Sequence, residues 1–480
     1  MSSGEGILEG LDPEQREVAL ALGRPTAVIA GPGTGKTRAL TSRIAYGVTT
    51  GAVDPGATLA VTFTTRAAAE LRERLAGLGV AGVQARTFHS AALAQAQFFW
   101  PLAFGVRLPR VADSPARLVA ELLPRFGLDG PYLARDLAQE IAWTKQSNVV
   151  PERYVALATA AGRHVQGAEP AQVADVLLEY ERVKQGYGLI DFDDILLCAA
   201  AVLEESEEAA RQMARRYRHL LVDEFQDVSP IQSRLIELWR GPHHDVCVVG
   251  DPAQTIHGFA GARSEYLAGF AQRHKGARRV VLDRDYRSSA AIVGAANALM
   301  AGHGGVTLRA QRPAGPPVEW AEARSDQAEA WAVAEWLADL HAAGTPWRQM
   351  AVLYRAHSQS GVVAAALAER DIPCRVVTPS DRLGGDAGQA GGREGDGAAV
   401  TCCTLHSAKG REWDAVGIVG VSEGSVPHVR AVGREAVDEE RRLLYVGLTR
   451  ARRHLRVSWV CDPYLGVGAP SRFLGEIGVR

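Results

Sequence analysis

With 480 residues and a formal net charge of −2, the chain is long enough for two or three domains with separate cores, and it carries no global field that would mark a polyanion partner. Any nucleic-acid surface must therefore be local. The apolar runs are too short to span a membrane, the polar N-terminus lacks a signal-peptide hydrophobic region, and the six cysteines form no CxxC pair, so a membrane protein, a secreted disulfide framework and a zinc site are all disfavoured. The cysteines are expected to be reduced core residues and the chain cytoplasmic. Arginine supplies nearly all the positive charge, with lysine only at Lys36, Lys145, Lys184, Lys275 and Lys409.

The first predicted strand, Thr26-Ala27-Val28-Ile29, runs into Ala30-Gly31-Pro32-Gly33-Thr34-Gly35-Lys36-Thr37. Glycines there let backbone N–H groups turn inward around phosphate oxygens, and the following helix offers its positive N-terminus. Gly31, Gly33, Thr34 and Gly35 would form the cradle, with Arg38 just beyond it. Lys36 would reach the β- and γ-phosphates and the Thr37 hydroxyl would ligate Mg²⁺. Ala30 stands where the general pattern has its first glycine, so the match is to a relaxed form. A nucleoside triphosphate is the expected ligand.

Further strands are predicted at Thr58–Phe63, Gln84–Phe88, His219–Asp223 and Asp245–Gly250, with a helical, Arg- and Ala-rich stretch from 91 to about 187 breaking the alternation. The strand ending at Val222 meets the adjacent carboxylates Asp223 and Glu224. An acidic turn of this kind is often only solvated; downstream of a phosphate loop it gains a chemical role. Asp223 would hold the metal shell and Glu224 would orient or deprotonate the attacking water. A second strand series follows at Arg279–Asp283, Met350–Tyr354, Ala399–Leu405, Ala415–Val421 and Leu455–Val460. Strands alternating with helices predict an α/β fold with two parallel sheets covered on both faces. Pro379–Gly397 is glycine-rich and nearly devoid of large apolar residues, and reads as a flexible connection.

Taken in order, the motifs resemble those of superfamily 1 helicases of the UvrD/Rep/PcrA type, from Leu11 to Ile477. That resemblance implies two RecA-like P-loop domains, the first comprising 1–90 and 188–278 (1A) and the second 279–378 and 398–480 (2A). A helical insertion (1B) would occupy 91–187, and the 379–397 connection would stand in place of the family's inserted helical 2B domain. Leu11-Asp12-Pro13-Glu14-Gln15 is similar to the adenine-reading motif, with Gln15 bracketing the base. Phe63, Arg66 and His89 fall in Thr62–Ala68 and Thr87–Ser90, which resemble motifs that contact single-stranded DNA; Phe63 could equally be a core residue. Val249–Gln254 resembles the motif linking γ-phosphate to DNA, with Gln254 as the phosphate sensor. Where relatives carry Tyr and Trp-Arg, this chain has His257, Phe259 and Ala260, leaving less aromatic surface for base stacking.

The resemblance also implies that Tyr286 stacks on adenine and that Arg287 reaches the γ-phosphate. His406 and Ser407 would meet the DNA backbone, Glu412 would approach the ribose or γ-phosphate, and Lys409 is either a phosphate contact or an ion-pair partner. Arg450 is singled out as a second arginine finger, while Arg442 is expected to pair with carboxylates. ATP and Mg²⁺ are the implied ligands, and single-stranded DNA and single/double-strand junctions the partners, with repair or replication proteins beside them. The expected activity is 3′→5′ DNA unwinding coupled to ATP hydrolysis. A translocase that does not separate strands and a DNA-binding scaffold with a degenerate ATPase are the alternatives.

Overall fold

The computed structural model describes residues 4–130, 132–243, 245–378, 398–461 and 468–479, without the side chain of Phe259. The expected connection at 379–397 lies outside the described residues. Contacts group the chain into two compact units, one of Met1–Val28, Thr37–Val249 and His257–Val280, the other of Ile29–Lys36, Gly250–Ile256 and Val281–Arg480.

The first six-stranded sheet is built from β1 (Thr26–Ala30), β2 (Thr58–Thr62), β3 (Gln84–Thr87), β6 (His219–Val222), β7 (Asp245–Gly250) and β8 (Arg278–Leu282), in the order β3-β2-β6-β7-β1-β8. The pairs β2–β3, β2–β6 and β6–β7 are parallel. β1 and β2 are buried at every position, as central strands covered on both faces should be. The buried Arg43 guanidinium, on the helix Lys36–Thr49, ties that helix to the sheet by donating to Asp245 Oδ1 (2.6 Å) and to the Val18 carbonyl (3.1 Å).

Between β3 and β6 the chain is mainly helical: Phe88–Phe104, Pro115–Leu122, Leu133–Gln146, Tyr154–Ala160 and Pro170–Gly186 precede Asp194–Glu205 and Glu207–Arg216. Thr87 and Ser114 cap the first two by accepting from backbone N–H groups, and Pro115 and Pro170 stand in first turns, where a missing N–H costs nothing. Val119, Leu137, Tyr154, Val176 and Tyr180 form a separate core. The short strands β4 (Arg110–Val111) and β5 (Leu189–Ile190) pair in parallel.

The second six-stranded sheet contains β11 (Glu319–Ala323), β12 (Met350–Tyr354), β13 (Cys374–Val376), β14 (Val400–Thr404), β15 (Trp413–Ile418) and β16 (Ala451–Val460), in the order β11-β16-β15-β12-β14-β13 with every neighbouring pair parallel. The short strands β9 (Arg284–Asp285) and β10 (Arg309–Ala310) lie beside one another. The α/β class with parallel sheets is thus realised, with one correction: the strand expected to open the second series at Arg279–Asp283 is β8, which lies beside β1 at the edge of the first sheet. The strands β11 and β13 go beyond the sequence reading because both lie at sheet edges and neither has a fully buried residue. Among the described residues no helix is long and apolar enough to cross a membrane.

Candidate nucleotide and nucleic-acid sites

β1 ends at Ala30, and the loop to Lys36 turns on two glycines in the left-handed region, Gly33 (φ 71°) and Gly35 (φ 78°). Thr34 Oγ1 closes the turn by donating to the Gly31 carbonyl (2.7 Å), and Lys36 Nζ donates to the Ala30 carbonyl (3.3 Å). A side chain at Gly33 would collide with the Asp285 carboxylate and come within 2.8 Å of Arg287 Cβ. Tyr286 N donates to the Gly33 carbonyl (2.9 Å), so Asp285-Tyr286-Arg287 is seated directly on the phosphate loop. Asp285 Oδ1 accepts from the N–H groups of Arg287 (2.6 Å) and Ser288 (3.1 Å), while burial pushes its carboxyl above the ordinary value.

Gln254 ends a short helical turn, Pro252–Gln254, capped by the buried Asp251. Its amide donates to Asp251 Oδ2 (2.8 Å) and accepts from Arg450 Nη2 (3.2 Å). Arg450 is itself buried and also donates to the carbonyls of Val446 (2.9 Å) and Arg411 (3.2 Å). Lys409 Nζ donates to the Gln254 carbonyl (2.7 Å), which makes it a brace for this turn. Arg442 departs from the expected carboxylate pairing: its Nε donates to the Thr255 carbonyl (2.8 Å), fastening the same segment through a neutral acceptor.

Glu412 forms ion pairs with Arg287 and with Arg452. Burial works to raise its carboxyl, yet Arg287, Arg452 and Arg450 together hold it below the ordinary range. Sequence reasoning missed Arg452, which lies just past the last motif and becomes a partner of Glu412 only through the pairing of β15 with β16. Tyr286 is 42% exposed, leaving surface on which a planar ligand can stack.

After β6, Asp223 N donates to the Val61 carbonyl (3.0 Å) and Asp223 Oδ1 accepts from Glu224 N (2.9 Å). Glu224 has φ 53°, an unfavourable conformation for a residue with a Cβ. Gln226, fully buried, donates its amide to Glu224 Oε2 (2.5 Å) and Asp227 Oδ2 (3.3 Å). Gln226 is therefore a positioning residue that sequence reasoning passed over; its place two residues after Glu224 was the available signal. Thr37 lies half-buried in the first turn of Lys36–Thr49, and Arg38 is exposed. Strand order puts β1 two places from β6, with β7 between them. Gln15 is buried, its N–H donating to the capping Asp12 carboxylate (2.7 Å).

The donor types suit the expected ligands. Thr37 and Asp223 offer only oxygen, as a hard divalent cation requires, and the left-handed turns at Gly33 and Gly35 give the loop the backbone shape that phosphate binding uses.

The residues expected to touch DNA are spread over several elements. Phe63 and His257 line one cavity of about 380 Å³ with Trp143, Gln146, Asp193 and Ser229. The Phe63 ring meets Phe88 edge-on at 5.4 Å, and Phe88 stacks on the buried Trp239, so the ring is half core and half cavity wall. Gln146 donates to Asp193 Oδ1 (2.7 Å) and accepts from Ser229 Oγ (2.7 Å), and burial pushes the Asp193 carboxyl up to about 6. Arg66 is exposed in the first turn of Thr65–Gly77. His89 stacks on Phe192 at 3.9 Å, and burial lowers its pKa to about 4, so the ring is neutral at pH 7. Phe192, itself 55% exposed, is a second aromatic that the sequence reading missed. The backbone of Phe259 lies in the short helix Gly258–Ala260. His406 and Ser407 belong to the other unit, in the turn Leu405–Ala408, where Thr404 Oγ1 accepts from Ser407 N (3.3 Å).

The UvrD/REP helicase N-terminal domain matches residues 11–275, and the UvrD-like helicase C-terminal domain matches 280–381 and 389–462. The chain is similar to the ATP-dependent DNA helicase UvrD2 of Mycobacterium tuberculosis, at 37% identity over 99% of this chain and 82% of the relative. It is also similar to UvrD1 of the same organism, at 34% identity over 78% of this chain and 51% of that protein. DNA helicase II of Haemophilus influenzae is 33% identical over 77% and 51% respectively. The alignment with UvrD2 runs over 578 positions, more than the 480 residues here, so that relative holds residues within the matched span that this chain lacks. By sequence and by the residues gathered around its phosphate loop, the chain belongs to the UvrD-type family of superfamily 1 helicases.

Proposed function

We propose that this chain is an ATP-driven motor that moves 3′→5′ along single-stranded DNA and separates duplex strands, in the cytoplasm and in the service of DNA repair or replication. The observation that carries the reading is the seating of Asp285-Tyr286-Arg287 on Gly33, beside a Gln254 amide held between Asp251 and Arg450. In this reading the motor halves are 1–90 with 188–278 and 279–378 with 398–480, and 91–187 is the helical insertion.

Lys36 and the N–H groups of the glycine loop bind the phosphates, Gln15 reads the adenine edge and Tyr286 stacks on the base. Thr37 and Asp223 hold Mg²⁺, which when bound neutralises charge on the phosphate oxygens. Glu224, oriented by Gln226, aligns water for attack, and Gln254 turns its amide toward the γ-phosphate. Arg287 and Arg450 lower the cost of charge developing on the transferring group. Glu412 fixes the approach of Arg287. Phe63, His257, Phe259 and His89 offer ring surface to bases, while Arg66, His406 and Ser407 meet the strand's backbone.

Single-turnover unwinding of matched 3′-tailed, 5′-tailed and blunt duplexes, with ATP consumption recorded in the same samples, tests this. Separation of the 3′-tailed substrate alone is expected; preference for the 5′ tail overturns the polarity. A second reading, translocation without autonomous strand separation, is favoured by the residues that UvrD2 holds within the matched span and this chain lacks. DNA-stimulated ATP consumption with every duplex intact would select it.

A further inference from the structure

The helix Phe88–Phe104 carries more apolar surface than its neighbours cover. Its buried side includes Ala91, Ala92, Ala96 and Phe99, yet Phe98 and Leu102 remain 63% and 69% exposed. Ala94, Phe98 and Leu102 recur every four residues and so share a face. Beside this stripe opens a groove of about 580 Å³, with Ala94, Phe98, Phe99 and Met213 among its apolar lining and Arg86, Arg215 and Arg216 among its charged residues. None of these residues has a place in the nucleotide or DNA sets.

The arginines are arranged for an incoming partner. Arg215 and Arg216 are exposed in the last turn of Glu207–Arg216. Arg216 Nε donates to the Tyr217 hydroxyl (3.2 Å), which donates to Gln84 Oε1 (2.8 Å), so that guanidinium is held in place. Among the described residues none of the three has a carboxylate within ion-pair distance. The positive charge is also confined. In the first turn of the same helix the charge is already matched, Glu207 and Glu208 pairing with Arg211 (3.0 and 3.2 Å), so the cations open to a partner are those of the last turn. Guanidinium forks pair with carboxylates, and the exposed Phe98 and Leu102 beside them need an apolar face, which a phosphate backbone does not offer.

We propose that this groove docks an acidic amphipathic helix of a partner protein. Apolar residues four apart would lie along Ala94, Phe98 and Leu102, and flanking carboxylates would pair with Arg86, Arg215 and Arg216.

The test is fluorescence anisotropy of the full chain with a labelled helical peptide of about 18 residues, five turns. It carries Leu and Phe at four-residue spacing between glutamates; a scrambled peptide and a labelled DNA duplex serve as comparisons. Saturable binding of the patterned peptide is expected, weakened at least about tenfold by Arg215→Glu with Arg216→Glu. Phe98→Ala should weaken it about fivefold or more through lost apolar contact. Both changes should leave thermal unfolding and DNA-stimulated ATP turnover unaltered. Equal binding of the scrambled peptide, or a charge reversal that weakens duplex binding but not peptide binding, overturns the proposal.

Discussion

Glu224 holds a left-handed backbone at φ 53°, a conformation costing roughly 1–2 kcal/mol for a residue with a Cβ. The turn aims the carboxylate to where Gln226 can grip it, so the strain serves placement. Replacing Glu224 by Gly relieves that strain while removing the carboxylate. Steady-state kinetics should show ATP turnover lost, and thermal unfolding a stability within about 1 kcal/mol of the parent or above it. The acidic pair was legible in the sequence because carboxylates after a buried strand form a local pattern. Its orientation was not, since backbone sign and the grip of Gln226 arise only in the folded turn. His89 makes a separate case. Its ring stays neutral in the fold down to about pH 4, whereas the unfolded chain takes up the proton near the ordinary value of 6.5. Stability must therefore fall as pH drops through that window, with the contribution gone below it. Asp193, raised to about 6, acts with opposite sign, because the folded state protonates first. His89→Gln should flatten the acid-side loss of Tm between pH 6.5 and 4; an unchanged slope would show that this ring is not the group responsible.

Secondary-structure elements are joined here by ion pairs that no local pattern announces. Lys145, on Leu133–Gln146, and Lys184, on Pro170–Gly186, meet Asp191, Asp194 and Glu181 in a buried cluster at the start of Asp194–Glu205. Tyr180 adds its hydroxyl to Asp191 (3.0 Å). Each lysine offers three N–H donors to these carboxylates, so the cluster is compensated only while both are present. Lys184→Met should lower the unfolding free energy by about 3–5 kcal/mol in denaturant titration, because it strands buried carboxylates. Replacing the whole cluster with apolar residues should cost less than that. The lysines stood out in the sequence by rarity, but their partners lie up to 49 residues away along the chain. Strands show the same division. Those buried on both faces, such as β1, β2 and β12, are readable as apolar runs. β11 is not, because Glu319 and Glu322 are exposed along an edge and interrupt the run.

For the molecule as a whole, near-neutral charge limits how DNA can be held. With a formal net charge of −2, affinity for single strands must come from a few local cations, not from a general field. Each phosphate contact contributes about 0.7 to the slope of log affinity against log salt for single-stranded DNA. Arg66→Ala should therefore weaken single-strand binding and reduce that slope by about 0.7, and an unchanged slope would remove Arg66 from the interface. The parallel α/β architecture was readable because alternating buried strands and helices leave a regular trace. The packing of Asp285-Tyr286-Arg287 onto the phosphate loop was not, since it joins residues some 250 positions apart, a distance over which periodicity carries no information. The placement of the lysines has a practical corollary. Lys145 and Lys184 are buried, Lys275 is exposed, and Lys36 and Lys409 are half-buried beside the phosphate loop and Gln254. Amine-directed acylation read by mass spectrometry would thus have one side-chain reference at Lys275 and two reporters at the proposed nucleotide site. Occupancy of that site becomes measurable on the native chain, without an engineered label.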